Sequence, residues 1–226
     1  MYSLILLSGG KGQRMHNNIP KQYMLLAGKP IIMHILDRIE LIKRINEVII
    51  VCSSEGKDFI ENMVKQYNIN LEIKYALPGA TRQGSVFSGL KLVSNQNVVI
   101  HEAARPFVGV EDFNRLLDVE NENAMFGIDI PFTVLKGDTQ INGILDRKEL
   151  INVQLPQKFN TKLLLDTHIK AQAEGKFFTE DASMVFAYNQ TKIDIVVGKD
   201  YNIKITTPMD MIIGEKIYSE YFRRVK

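Results

Sequence analysis

Between Leu4 and Gln22 the chain sets Ser8-Gly9-Gly10-Lys11-Gly12, then Arg14 and Lys21, behind the apolar run Leu4-Ile5-Leu6-Leu7. A short apolar run that ends in turn residues reads as a buried strand. Glycines there let the backbone take positive φ and come close to a ligand, and inward-turned N–H groups cradle anions. Two cations close behind suit a phosphate chain. The first expectation is therefore a nucleoside triphosphate site at the carboxyl end of the first strand. Two familiar glycine patterns fail. A P-loop needs its second glycine where Arg14 stands. The dinucleotide pattern fits Gly10 and Gly12 but meets Met15 in third place, and the acidic residue it wants after the second strand is missing from Val51-Cys52-Ser53. A glycine-rich turn without a ligand is the bland alternative; Arg14 and Lys21 tip the reading toward phosphate.

The elements that must position this loop alternate along the chain. Residues 30–42 have helical apolar spacing, with Pro30 suited to the first turn. His34 in that helix reads as a packing or surface residue. Residues 47–52 read as a strand, 54–67 as a helix opening on Ser-Ser-Glu, and 71–76 as a strand. Then come a helix over 85–93, a strand over 97–101, a helix over 112–121 and a strand over 124–130. Alternation of this kind gives an open, mainly parallel sheet with helices on both faces. Ligands bind such sheets outside the carboxyl ends of the strands. The segments 8–10, 78–82 and 101–105 should therefore converge. Residues 136–146 are polar and glycine-containing, and read as a β-hairpin arm of the kind that often meets a second subunit.

Composition narrows the classes. A chain of 226 residues is long enough for one α/β domain with a sizeable core. A net charge of +2 is too near neutral to argue for nucleic acid or a membrane surface. The single Cys52 excludes an internal disulfide framework and a multi-cysteine zinc site, and reads as a small buried hydrophobe. No basic leader with an apolar h-region opens the chain, and no apolar run approaches the ~20 residues of a bilayer span. A soluble cytoplasmic protein is expected.

Five segments, in order, carry a family resemblance. They are Ser8–Met15 with Pro20–Tyr23 (SGGKGQRM, PKQY), Gly79–Leu90 (GATRQGSVFSGL), His101–Val108 (HEAARPFV), Leu145–Arg147 with Leu155–Phe159 (LDR, LPQKF), and Thr179–Val185 with Asn202–Asp210 (TEDASMV, NIKITTPMD). On these, nearly the whole chain resembles the cytidylyltransferases that activate polyol phosphates. The 2-C-methyl-D-erythritol 4-phosphate cytidylyltransferase family is nearest and the ribitol-5-phosphate cytidylyltransferases next. The resemblance implies a Rossmann-like, mostly parallel sheet of the nucleotide-diphospho-sugar transferase type with a protruding β-arm. Residues 1–226 would form a single domain, with 131–150 as the arm for dimerisation. It also implies transfer of the cytidylyl group of CTP to a polyol phosphate, a homodimer, and Mg2+ as cofactor.

The implied residue roles stand beside plainer readings. Arg14 and Lys21 match cations that stabilise the transition state at the α-phosphate; as isolated residues they would be surface cations. Lys204 matches a lysine that positions the acceptor phosphate, although its alternating surroundings equally fit a strand with an outward lysine. Arg147 matches an arginine that reaches the neighbouring subunit's acceptor phosphate, or is an exposed arginine in a polar hairpin. Leu7, Ser8, Gly9, Gly10, Gly12, Gly79, Ala80 and Ser85 match the nucleotide-binding positions, Ser85 equally reading as a helix cap. Arg82 suits either the cytosine loop or a structural salt bridge. Glu102 is the candidate to orient Mg2+ or substrate hydroxyls, with Arg105 beside it and Thr133 a loose match for a substrate-binding threonine.

Some positions depart from the family pattern. Glu102 stands where aspartate is usual, Leu155 interrupts Gln-Thr-Pro-Gln, and the arm's first strand looks a residue short at Thr133-Val134-Leu135-Lys136. All fall on the acceptor side. The preferred acceptor is 2-C-methyl-D-erythritol 4-phosphate, ribitol 5-phosphate the runner-up, and a CTP sensor without turnover the alternative of another class.

Overall fold

A computed structural model describes the chain at residues 1–10, 15 and 19–223. The first strand, β1 (Tyr2–Leu7), is the apolar run expected from the sequence. The two-residue strands β2 (Leu25–Leu26) and β3 (Lys29–Pro30) form a small ribbon before α1 (Ile31–Ile39). Pro30 thus stands just outside α1 as its N-cap, not within its first turn. Then follow β4 (Ile45–Val51), α2 (Ser54–Gln66), β5 (Ile73–Ala76), α3 (Arg82–Leu90), β6 (Asn97–Glu102), α4 (Val110–Asp118) and β7 (Ala124–Asp129). The arm is β8 (Leu135–Gly137) and β9 (Ile141–Ile144), an antiparallel pair apart from the main sheet. β10 (Ile151–Asn160), α5 (Thr161–Ala173), α6 (Asp181–Asn189), β11 (Asp194–Val197) and α7 (Pro208–Ile217) complete the order.

Among the described residues seven strands make one sheet in the order β11-β7-β10-β6-β1-β4-β5. β10 runs antiparallel to both its neighbours, and the other pairings are parallel. The alternation of side chains sorts the core into two faces. Leu4 and Leu6 of β1 join Val48, Ile50 and Val99 beneath α1, α2 and α4. Ile5 joins Ile49, Val51 and Ile100 beneath α3, α5 and α6. Strands covered on both faces lose the polar alternation of half-exposed strands, which is why β1 and β4 read as continuous apolar runs. Cys52 is buried and free, as a small hydrophobe. His34 is buried as well, its Nε2 2.8 Å from the Leu26 carbonyl.

Side-chain caps set the starts of several helices. Ser53 caps α2 and Thr81 caps α3, each accepting from a backbone N–H three residues on. This corrects two expectations. The helix expected over 85–93 begins at Arg82, and Ser85 is not its cap; its hydroxyl donates to the Thr81 carbonyl and accepts from the Gly79 N–H. The first turn, Arg82-Gln83-Gly84-Ser85, carries no apolar residue, so apolar spacing does not mark it. Among the described residues no helix is long and apolar enough to cross a membrane.

Candidate active site

β1 lies between β6 and β4, at the point where successive strands are laid down on opposite sides, and a crevice opens there beyond the strand ends. A cavity of about 760 Å3 occupies it. Leu7, Ser8, Gly9 and Gly10 line it from the end of β1, and Lys21 and Gln22 from the turn that follows. Residues 78–82 and Ser85 line it from α3, and Glu102 and Ala104 from the end of β6. Lys204 and Thr206 close it from the loop before α7. The three segments expected to converge therefore meet, with the fourth arriving from more than a hundred residues away.

The two glycine loops fit only because they lack side chains. A Cβ on Gly79 would fall 2.5 Å from the backbone of Gly84, and one on Gly9 2.6 Å from the Pro78 ring. Gln22, itself buried, clamps the first loop: its side-chain amide donates to the carbonyls of Ser8 (2.6 Å) and Gly10 (3.1 Å). With those carbonyls held back, the loop is fixed relative to Lys21, the residue just before Gln22 in the chain. Sequence reasoning named Lys21 and passed over Gln22. The signal was its place beside that lysine within Pro20–Tyr23, with no periodicity to mark it.

Charge is distributed unevenly. Lys21, Arg82 and Lys204 face the cavity against the single carboxylate of Glu102. Glu102 accepts from Arg82 Nε at 3.1 Å, lies 2.7 Å from Lys204 Nζ, and has Arg105 Nε at 3.7 Å. Burial opposes its charge, yet Lys204, Arg82 and Arg105 outweigh this and hold the carboxyl down at about 2. Arg82 is equally pinned. Burial acts to lower its pKa, but Asp181, 2.8 Å from Nη1, and Glu102 raise it above the usual value. Of the two readings open for Arg82, the salt bridge is present. Arg105 stands behind Glu102, not on the lining, and donates to the Asn202 carbonyl at 3.0 Å. His101, beside Glu102, is kept neutral; burial drives its pKa down to about 4.

Lys204 corrects another expectation. Residues 202–206 form no strand, so Lys204 is not an outward strand lysine but the ion-pair partner of Glu102. Ile205 anchors the loop by burying itself against Leu26, Ile31 and Phe107, and the Ile205 N–H donates to the Ala104 carbonyl. Thr133 and Arg147 lie on the arm, exposed and off the cavity lining, and Arg147 donates to the Pro131 carbonyl at 3.0 Å. Gly12 and Arg14 lie outside the described residues.

Mg2+ takes oxygen ligands, and in phosphate sites it binds one or two carboxylates plus substrate oxygens. Glu102 is already paired with Arg82, Lys204 and Arg105, and among the described residues no cluster of three His, Cys, Asp or Glu side chains could hold a metal ion. The described side chains do not make a metal site by themselves.

Comparison with known proteins matches this arrangement. The family model of IspD, 2-C-methyl-D-erythritol 4-phosphate cytidylyltransferase, matches residues 2–220. The chloroplastic 2-C-methyl-D-erythritol 4-phosphate cytidylyltransferase of Oryza sativa subsp. japonica is 36% identical over 96% of this chain and 74% of its own. A ribitol-5-phosphate cytidylyltransferase of Lactiplantibacillus plantarum is 30% identical over 94% of this chain and 96% of its own. The crystal structure of 4-diphosphocytidyl-2C-methyl-D-erythritol synthase from Anaerococcus prevotii superposes with a TM-score of 0.84 at 27% identity, covering 96% of this chain and 98% of that one. A match that spans the sheet, both glycine loops and the Lys204 loop makes this chain a member of the 2-C-methyl-D-erythritol 4-phosphate cytidylyltransferase family.

Proposed function

We propose that the protein transfers the cytidylyl group of CTP to 2-C-methyl-D-erythritol 4-phosphate, a step of isoprenoid synthesis, in the cytoplasm. An oxygen of the acceptor phosphate attacks the α-phosphorus of CTP. The bond from that phosphorus to the bridging oxygen breaks, and pyrophosphate leaves with the electron pair. The nucleophile is already an anion, so the reaction needs no general base. What it needs is positioning of like-charged groups and stabilisation of charge building on the α-phosphate. The observation that carries the proposal is a single crevice holding two glycine loops together with Lys21, Arg82 and Lys204.

In this reading Lys21, with Arg14, stabilises the α-phosphate charge, and Lys204 takes the acceptor phosphate. Leu7, Ser8, Gly79, Ala80 and Ser85 face the cytosine, and the small residues at 79 and 80 favour a pyrimidine. Mg2+, were it to act here, would arrive with CTP and would neutralise phosphate charge. Two copies of the chain form a homodimer in which Thr133 and Arg147 reach the neighbouring site. The exposed apolar side chains of the arm support this: Phe132, Ile141 and Ile144 are 76%, 71% and 86% exposed. Mixing Arg147→Ala subunits with Lys21→Ala subunits should then restore activity, because each mixed dimer keeps one complete site. Verified mixed dimers without activity would remove the shared-site assignment.

Ribitol 5-phosphate is the second reading, favoured by the Lactiplantibacillus relative and by Glu102 on the acceptor side. Pyrophosphate release from CTP and Mg2+ with each acceptor decides between them. A strong preference for methylerythritol phosphate is expected; preference for ribitol phosphate moves the protein to polyol-phosphate activation for another polymer. CTP binding without release on either would indicate a sensor, for which the acceptor-side Lys204 has no evident use.

A further inference from the structure

Behind the cavity wall a chain of contacts leaves the site. Glu102 Oε1 accepts from Arg82 Nε, Arg82 Nη1 donates to Asp181 Oδ2 at 2.8 Å, and Asp181 Oδ1 lies 3.1 Å from His168 Nε2. Asp181 and His168 are each 1% exposed, so this end of the chain is dry. Burying a carboxylate costs several kcal/mol unless its oxygens are fully engaged. Asp181 meets that condition with one oxygen on Arg82 and the other on His168, and it opens α6, where the helix N-terminus also favours negative charge. Burial acts to raise its pKa, and Arg82 and His168 overcome this to lower it.

The geometry has a directional consequence. A guanidinium is a rigid planar fork, so fixing one prong fixes the other. Arg82 spans two carboxylates, one in the interior and one on the cavity wall. Asp181 can orient the fork only while its own carboxylate is kept from rotating, and His168 Nε2 is the contact that stops it. The imidazole is itself held by stacking on Phe87 of α3, with centroids 6.0 Å apart and planes 18° off parallel. One ring thus links α5, α6 and α3, the three helices of one sheet face, to the charged end of β6. At the cavity, Glu102 in turn holds Lys204.

We infer that His168 is a positioning residue for the acceptor side of the site, acting through Asp181 and Arg82 to fix Glu102 and Lys204. The inference rests on the acceptor-side roles proposed above. It adds a residue that never touches substrate.

The test compares His168→Phe, which keeps the ring and its stacking but removes the nitrogen, with His168→Gln, whose terminal amide can again donate to Asp181. Readouts are kcat, acceptor KM, CTP affinity, the thermal melt and the Arg82 Nε–H resonance in 15N NMR. His168→Phe should raise the acceptor KM about tenfold to a hundredfold, by analogy with the loss of residues that orient metal ligands. CTP affinity should change far less, and the Arg82 resonance should shift. His168→Gln should return both KM and resonance toward the wild-type values. Should His168→Phe fail to fold, Asp181→Asn breaks the chain one link nearer and should raise the acceptor KM in the same way. Unchanged KM and resonance in the altered proteins would overturn the inference. So would equal losses in the Phe and Gln variants that follow only the fall in melting temperature. Wild-type protein inactive on both acceptors would defeat the proposed function instead, and the Arg82 resonance would still decide whether His168 is coupled to the site.

Discussion

Lys21→Ala should lower kcat about 10²- to 10³-fold, the range for losing one preorganised charge-stabilising contact, with a much smaller change in CTP affinity. The expectation follows from how the lysine is held. It opens the short turn Lys21–Tyr23 on the cavity wall, with only 8% of its surface exposed. The next residue, Gln22, is tied to the carbonyls of Ser8 and Gly10, so the backbone carrying Lys21 moves with the glycine loop. A cation fixed in this way does not reorganise as charge develops on the α-phosphate, and a sheltered site strengthens its field. Lys21→Arg should not restore activity, because a planar guanidinium presents different donors from a different reach. Pyrophosphate release gives kcat, and calorimetric titration with CTP gives affinity. If both fall equally, Lys21 serves ground-state binding and the transition-state role is lost.

Arg82→Met should destabilise the fold by about 3–5 kcal/mol, the usual cost of stripping one partner from a buried charge cluster. Methionine fills much of the volume, so the loss is electrostatic. Asp181 and Glu102 would keep their burial and lose their shared cation. The pH dependence gives a sharper signature. In the wild type Glu102 is held at about 2 against an ordinary 4.5. A depressed carboxylate stabilises the fold fully above its unfolded value, and that contribution drains away as pH falls from 4.5 toward about 2. Without Arg82, burial acts on both carboxyls with less opposition and their pKa values rise. The penalty of the substitution should therefore be largest at neutral pH and shrink as the carboxyls protonate. Urea unfolding across this range measures it. A penalty that is constant with pH would show that the ion pairs contribute little and that packing accounts for the loss.

The fold was legible because its signals are local. A strand covered on both faces reads as a nearly continuous apolar run, and Leu4-Ile5-Leu6-Leu7 and Val48-Ile49-Ile50-Val51 say so within a few residues. The alternation of such runs with helices gave the sheet, and the rule that ligands bind beyond strand ends brought 8–10, 78–82 and 101–105 to one place. Helix starts were less legible. Thr81 caps α3, but the first turn, Arg82 to Ser85, has no apolar residue, so apolar spacing becomes visible only beyond it.

By itself, then, the sequence determined the layered α/β frame, the glycine loops at its crevice, and through five ordered motifs the family. Tertiary structure decided how the charges are used. Glu102 joins Arg82 from 20 positions away, and Arg82 joins Asp181 from 99. The loop at Lys204 reaches the same carboxylate because Ile205 is buried under α7 and bonded to Ala104. Gln22 becomes a clamp only when the loop folds back over it. Pairings of this kind leave no periodicity in the chain. They arise where strand order and helix packing bring distant residues into hydrogen-bonding distance, in a medium that makes an unpaired charge too costly to leave alone.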